Sequence, residues 1–393
     1  MKRSFSFGSG RDMFVVVSGT CFIAATYGLV RLAFGLFLPD IQRELDLSAK
    51  GAGYISSGAS LVYCLAAAAG FGLGPRSPRA LIVAAAVTAC GGVWGMAAAG
   101  NVPAFGLAAV LSSAGAGFAS PALVAIVHRN VDYRHAEGAQ SVVNAGTGPG
   151  LVGAALLAVL VASEWRIAWV ATGLLTAGAA VAVLVADRRP GARPAMPRTS
   201  PPVSAPWLAD HRSAVIAATL MGAGSSAVWT YGRSHLVEAG TTSESGTVSA
   251  WIALGVGATA VITTAHQMVK LSATAAWMLS CSVMTIALMV LAFAPQVRLV
   301  ALLAYLIFGW GFTAATSSLI AWTSDIDPAN AAAGTALLFV ALMFGQAIGA
   351  TALGLIITTT SFGTAFVAAS AVSALAIGTA TRKRAGALQG PTG

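Results

Sequence analysis

The sequence predicts an all-α integral membrane protein, with twelve transmembrane helices arranged as two pseudo-symmetric six-helix halves. Three observations predict it: a composition too apolar for water, twelve apolar runs of spanning length, and an internal repeat that pairs the first six runs with the last six.

Of the 393 residues, 57% are hydrophobic and only 9% charged, and the mean hydropathy is +0.79. Soluble domains carry about 25% charged residues, and roughly half of a globular surface is apolar even so. A soluble fold could not hide this much apolar side chain, whereas lipid removes the problem. The net charge of +9 raises nucleic-acid binding, but the basic residues fall between apolar runs instead of forming one face. Cys21, Cys64, Cys90 and Cys281 lie inside apolar runs without CxxC or metal-ligand spacing. They read as small packing residues, with no disulfide framework, metal site or cofactor implied.

A spanning helix needs about 20 mostly apolar residues. Runs of that length cover residues 13–38, 51–73, 79–99, 102–127, 137–161 and 164–186. Six more cover 213–236, 247–269, 272–293, 298–322, 331–357 and 361–381. The first run, from Met13, is too long for a signal-peptide core and lacks an A-x-A cleavage pattern, so it is expected to be a retained span. Between the sets, the stretch 187–212 is rich in Arg, Pro and Ser and reads as a solvated linker. The expected organisation is a half over 1–186, a linker over 187–212, a half over 213–381 and a tail over 382–393.

Lys and Arg in short loops set orientation. With the N-terminus in the cytoplasm, 16 of the 22 basic residues fall on the cytoplasmic side, 5 on the opposite side, and Arg31 within a span. Both termini are therefore expected inside. The repeat supports an even number of helices per half. Gly115-Ala-Gly117-Phe118 recurs as Gly309-Trp-Gly311-Phe312 at an offset of 194, and Gly138 and Gly153 recur as Gly334 and Gly349 at 196. Trp165 through Ala171 matches Phe362 through Ala368 at 197, and Thr26-Tyr27-Gly28 matches Thr230-Tyr231-Gly232 at 204.

These features resemble the major facilitator superfamily (MFS) over nearly the full chain. The opening Arg31-Leu-Ala-Phe34-Gly35-Leu-Phe-Leu38-Pro39-Asp40-Ile41 and the element Glu164-Trp165-Arg166-Ile-Ala168-Trp169 carry the resemblance. The first of these is similar to the YbfB/YjiJ-type branch. The family's loop between helices 2 and 3 carries G-x-x-x-D-R-x-G-R. Here the stretch is Phe71-Gly-Leu-Gly-Pro75-Arg76-Ser-Pro78-Arg79, which keeps Arg76 and Arg79 but puts Pro75 where the acid would stand. Gly148-Pro149-Gly150-Leu-Val-Gly153 resembles the end of the family's antiporter element, and physically reads equally well as close packing with a bend at Pro149. The resemblance implies a secondary transporter working by alternating access.

Candidate substrate residues follow from the cost of charge in lipid, roughly 2.5–3.5 kcal/mol at a helix centre. Arg31 lies seven residues before Leu38, roughly 10 Å below the outer end of helix 1. Arg233 aligns two residues from Arg31 by the repeat, which gives either a two-cation clamp for a carboxylate or a headgroup contact. None of the thirteen acids is expected mid-span, which disfavours proton-driven cation export. His266 is the remaining intramembrane titrator, with an interfacial place as its alternative. Gln140, Asn144 and Thr147 share one face of helix 5, and Gln346 sits mid-helix 11. Tyr27, Phe34, Tyr63, Trp229, Tyr231, Trp251 and Trp310 are candidate cavity aromatics, with helix tying or interfacial anchoring as the alternative.

The preferred function is transport of a small organic anion, with a coupling proton or counter-anion, by a monomer in the cytoplasmic membrane. Efflux of neutral or amphipathic compounds is the alternative, and a non-transporting sensor a further one. No paired carboxylates, His cluster or nucleophile–base pair suggests an enzyme.

Overall fold

The structure is a computed structural model and describes residues 10–74, 76–161, 164–188, 204–240 and 244–387; the side chains of 10, 11, 133, 134, 137, 244, 245 and 381–387 are left aside. The described residues contain twelve helices long and apolar enough to cross a membrane. They are α1 (Asp12–Leu45), α2 (Ala49–Leu73), α3 (Pro78–Ala98), α4 (Val102–Asn130), α5 (Gly138–Leu160) and α6 (Trp165–Ala186). Then come α7 (Ala205–Glu238), α8 (Gly246–Met268), α9 (Ala273–Phe293), α10 (Arg298–Ile326), α11 (Pro328–Thr359) and α12 (Phe362–Ala380).

Local chemistry explains the ends. Asn101 and Ser272 cap α4 and α9 by accepting from the Ala104 and Ala275 N–H groups (2.9 and 3.3 Å). Ser204 does the same for α7 through Trp207 (3.3 Å). Pro78, Pro103 and Pro206 occupy first turns, where a missing N–H costs nothing. Several spans are broken. Within α1 the backbone winds as a π-helix over Ala24–Leu32 before resuming α geometry at Ala33. In α5 the helix stops at Asn144 and restarts at Thr147. The bend therefore precedes Pro149, which sits harmlessly in the new first turn.

Two compact units emerge from contacts, one drawing on 1–34 and 62–196 and the other on 35–61 and 197–393. In the first, α3 packs on α4 and α6, and the inner part of α1 packs on α5 and α6. In the second, α9 packs on α10 and α12, and α7 packs on α11 and α12. The same neighbours recur in the same order. In the first unit, methyl groups added at Gly146 and Gly150 of α5 would collide with the backbone of Thr20 and Ala24; in the second, Gly345 and Gly349 of α11 meet Thr219 and Ala223 in the same way. Each of these pairings repeats at one offset, 219 − 20 = 199 and 345 − 146 = 199.

That offset corrects the sequence alignment of the repeat. At 199, Arg31 corresponds to Thr230 and Arg233 to Phe34, so the two arginines are not equivalent positions. Short matches in an Ala- and Gly-rich chain had set offsets of 204 and 196 for these helices. Two boundaries also move. Helix α1 continues past Pro39 to Leu45 instead of ending near 38, which draws Asp40 into the span with 6% exposure. The linker expected over 187–212 loses Asp187, buried at the end of α6, and residues from Ala205 onward, which are helical; residues 189–203 of it, the tail from 388, and Pro75 lie outside the described residues.

Candidate substrate site

In the first unit, the π segment of α1 carries Tyr27 and Arg31, and α2 brings Tyr63 to meet them. The Arg31 guanidinium lies over the Tyr63 ring, 4.9 Å from its centroid. The Tyr27 and Tyr63 hydroxyls are hydrogen-bonded at 2.8 Å, with the rings edge-to-face at 5.9 Å. The wider winding of a π-helix frees backbone groups and re-aims side chains, and such segments concentrate at functional sites. A cation over a tyrosine ring is attracted by the negative face of the ring. Gly117 of α4 allows this approach, since a methyl group there would stand 2.6 Å from the Tyr63 carbonyl oxygen.

The other predicted residues occupy different settings. Phe34 is packed against Phe105 (6.3 Å), which in turn meets Trp165 edge-on (5.7 Å). Gln140 donates to the exposed Asn144 side chain at 3.0 Å, and the break after Asn144 removes the single helical face expected to extend to Thr147. Trp310 ties α10 to α8 by donating to Thr264 (2.9 Å). Gln346 is buried where α11 meets α7 at Gly222. Trp229 packs edge-on against Phe308 and Phe312, at 5.9 and 5.0 Å. His266 is exposed near the end of α8.

Arg233 is in neither of its expected settings. It is 1% exposed and paired with Asp40, with its Nη1 also donating to the Leu36 carbonyl (2.6 Å) and its Nε to Thr247 (3.0 Å). This is a correction to both the clamp and the headgroup reading. A buried cation must be neutralised nearby, and the partner was hidden because Pro39 looked like the end of helix 1. Tyr231 is likewise fully buried, donating to Ala350 and Ala49 carbonyls at 2.7 and 3.2 Å.

A second buried charge cluster lies in the first unit. Asp187 accepts from Arg129 Nε (2.9 Å) and Nη2, and from Asn130 Nδ2 (2.9 Å). Arg79 joins it, donating to the Leu184 carbonyl at 2.9 Å and the Asp187 carboxylate at 3.3 Å. The loop that lacks an acid at Pro75 thus finds its counter-charge at Asp187, 108 residues further on. Arg76 is exposed and donates to the Gly72 carbonyl of its own helix end (3.1 Å). No group of three or more His, Cys, Asp or Glu suited to a metal occurs among the described residues.

Twelve apolar helices, packed as two units with matching internal contacts, define a multi-pass membrane protein of the secondary-transporter type. The sequence pattern of the Major Facilitator Superfamily matches residues 20–350, and the chain belongs to that family. Its fold is similar to that of the nucleoside transporter NupG in a mutant form (TM-score 0.78, 13% identity, covering 94% of this chain and 99% of that one). It is also similar to a mutant peptide transporter, POT, in complex with sulfate (0.76, 14%, 97% and 96%). A third similar structure is an occupied, inward-facing bacterial homologue of the human lysosomal transporter Spinster (0.71, 12%, 96% and 98%). At these identities the likeness is one of fold. A search of curated proteins finds no match.

Proposed function

We propose that the protein carries a small organic anion across the cytoplasmic membrane by alternating access, with Arg31 as the cation that binds it. The single observation behind this reading is the Arg31–Tyr63–Tyr27 cluster on the π segment of α1. A guanidinium can pair two parallel N–H donors with a carboxylate, and it lies beside the hydrogen-bonded Tyr27 and Tyr63 hydroxyls. The halves over 1–186 and 213–381 rock about this site, joined by the segment between α6 and α7. Both termini face the cytoplasm by the distribution of Lys and Arg, and the monomer is the working unit. A proton or a counter-anion accompanies the cargo, with Arg79 and the bend before Pro149 serving the movement.

Uptake of carboxylates, nucleosides and short peptides into proteoliposomes tests this, with wild type beside Arg31→Gln. Carboxylate transport is expected to fall by about tenfold or more, the loss of a charge-assisted bidentate contact. Unchanged transport of every accepted cargo in Arg31→Gln removes the anion reading. Transport of neutral cargo alone favours the efflux alternative.

A further inference from the structure

Four donor groups clustered in the second unit lack a hydrogen-bond partner among the described residues. They are Arg233 Nη2 on α7, Trp229 Nε1 one turn before it, Trp251 Nε1 on α8 and the Tyr305 hydroxyl on α10. Arg233, Trp251 and Tyr305 are at most 1% exposed, and Trp229 is 7% exposed. Shared neighbours bring them together. Arg233 Nε donates to Thr247 of α8 (3.0 Å), which turns the Nε–Nη2 edge of the fixed guanidinium fork toward that helix. Trp251 is the next turn along it, and its ring lies 6.2 Å from that of Tyr305. A methyl group at Gly232, the residue before Arg233, would strike the Tyr305 hydroxyl, so the circuit closes on α7. The far side of the guanidinium is already engaged, Nη1 donating to Asp40 and to the Leu36 carbonyl.

We propose that this cluster binds one small monovalent inorganic anion of the chloride type. A buried donor without a partner is costly, and calls for a water or an ion. The excess of donors separates these two. Indole and guanidinium nitrogens only donate. A water brings two hydrogens of its own that need acceptors, and against the four donors the cluster sets only Asp40 Oδ1 and the Tyr305 oxygen. A halide accepts from several donors at once and brings none. The charges agree with this. Asp40 is flanked by two guanidinium groups, Arg233 and, at 3.9 Å, Arg43, so one carboxylate does not exhaust the positive charge. The site is separate from Arg31, which lies with Tyr27 and Tyr63 in the first unit, and it does not rest on the transport reading of that cluster.

Thermal unfolding of the detergent-purified full chain tests the site, with chloride replacing gluconate at constant ionic strength. Tm is expected to rise saturably, by about 5–10 °C at a hundred times the dissociation constant, and bromide is expected to act as chloride does. Trp251→Phe and Tyr305→Phe each keep an aromatic ring and remove one donor. Each is expected to weaken chloride binding about tenfold, and the two together to abolish the shift. Arg31→Gln is expected to leave the chloride response as it is. A Tm that does not distinguish chloride from gluconate overturns the site. So does an equal response in wild type and both donor variants, which reports an adventitious ion only. A response lost in Arg31→Gln but kept in the donor variants places the anion in the first unit and also overturns it. If Trp251→Phe does not fold, Tyr305→Phe, which loses only a hydroxyl, decides. No cargo is measured, so failure of the Arg31 transport reading leaves the result standing.

Discussion

Replacing Asp187 with Asn should lower the stability of the first unit more than any single surface change. Asp187 is buried, as is Arg129, with side-chain exposures of 0% and 3%. The carboxylate accepts two bonds from Arg129 and one from Asn130. Asn in its place keeps an acceptor and the volume, but leaves the Arg129 guanidinium buried without its counter-charge. Removing one partner of a buried pair costs about 3–5 kcal/mol. The Arg79 share is small, because its side chain is 43% exposed and such contacts contribute about 0–1 kcal/mol. At about 2–4 °C per kcal/mol for a body of this size, Tm should drop by on the order of 10 °C. Thermal unfolding of detergent-purified protein, followed by tryptophan fluorescence, reads the change directly. Arg79→Gln serves as the control and should shift Tm by only about 2 °C or less. The double variant Asp187→Asn with Arg129→Gln should recover part of the loss, since no charge is then stranded. A Tm for Asp187→Asn within about 2 °C of wild type would refute the reasoning.

Two glycines paired by the sequence repeat should respond in opposite ways. Gly349→Ala should destabilise by about 1–3 kcal/mol, because the new methyl meets the Ala223 backbone and the Ser226 hydroxyl. Gly153→Ala, with nothing within 4 Å, should be neutral or stabilise by up to about 1 kcal/mol through helix propensity; melting curves of the two variants decide. Between α10 and α11, the Asn330 side chain, helped by Trp207 and the N–H groups of Asn330 and Ala329, holds the Asp327 carboxyl below the usual carboxylate range. A depressed folded-state value means that this contribution is complete above the ordinary carboxylate pKa, about 3.9, and is lost as pH falls through the lower folded value. The Tm difference between wild type and Asp327→Asn should therefore be constant near neutral pH and shrink in strong acid. A difference that instead grows as pH falls contradicts the assignment.

The helices were legible because lipid imposes one rule on every span: backbone groups must bond internally, so each crossing is a long apolar helix. Run length and composition carry that rule, and all twelve runs appear as helices, with edges displaced by up to eight residues. The parallel repeat was also visible, though its register was not. Ala and Gly recur too often for short matches to fix an alignment, and the true offset emerged only where Gly146 and Gly345 press on equivalent backbone positions. Helix 1 misled for a different reason. Pro39 and the polar residues after it resemble a helix end, yet a proline near the end of a helix is tolerated when neighbouring helices satisfy what it frees.

What the sequence determined by itself was the solvent: 57% hydrophobic and 9% charged residues require a bilayer, and run lengths then require helices. It also marked Arg31 as costly and therefore purposeful. Only the tertiary structure decided which charges are compensated. Asp40 meets Arg233 across 193 residues, and Asp187 meets Arg129 across 58. Such pairs leave no periodic trace, because burial of a charge depends on what folding brings opposite it and not on its neighbours in the chain. The same physics separates Arg31, set over the Tyr63 ring of α2, from Arg233, matched to a carboxylate.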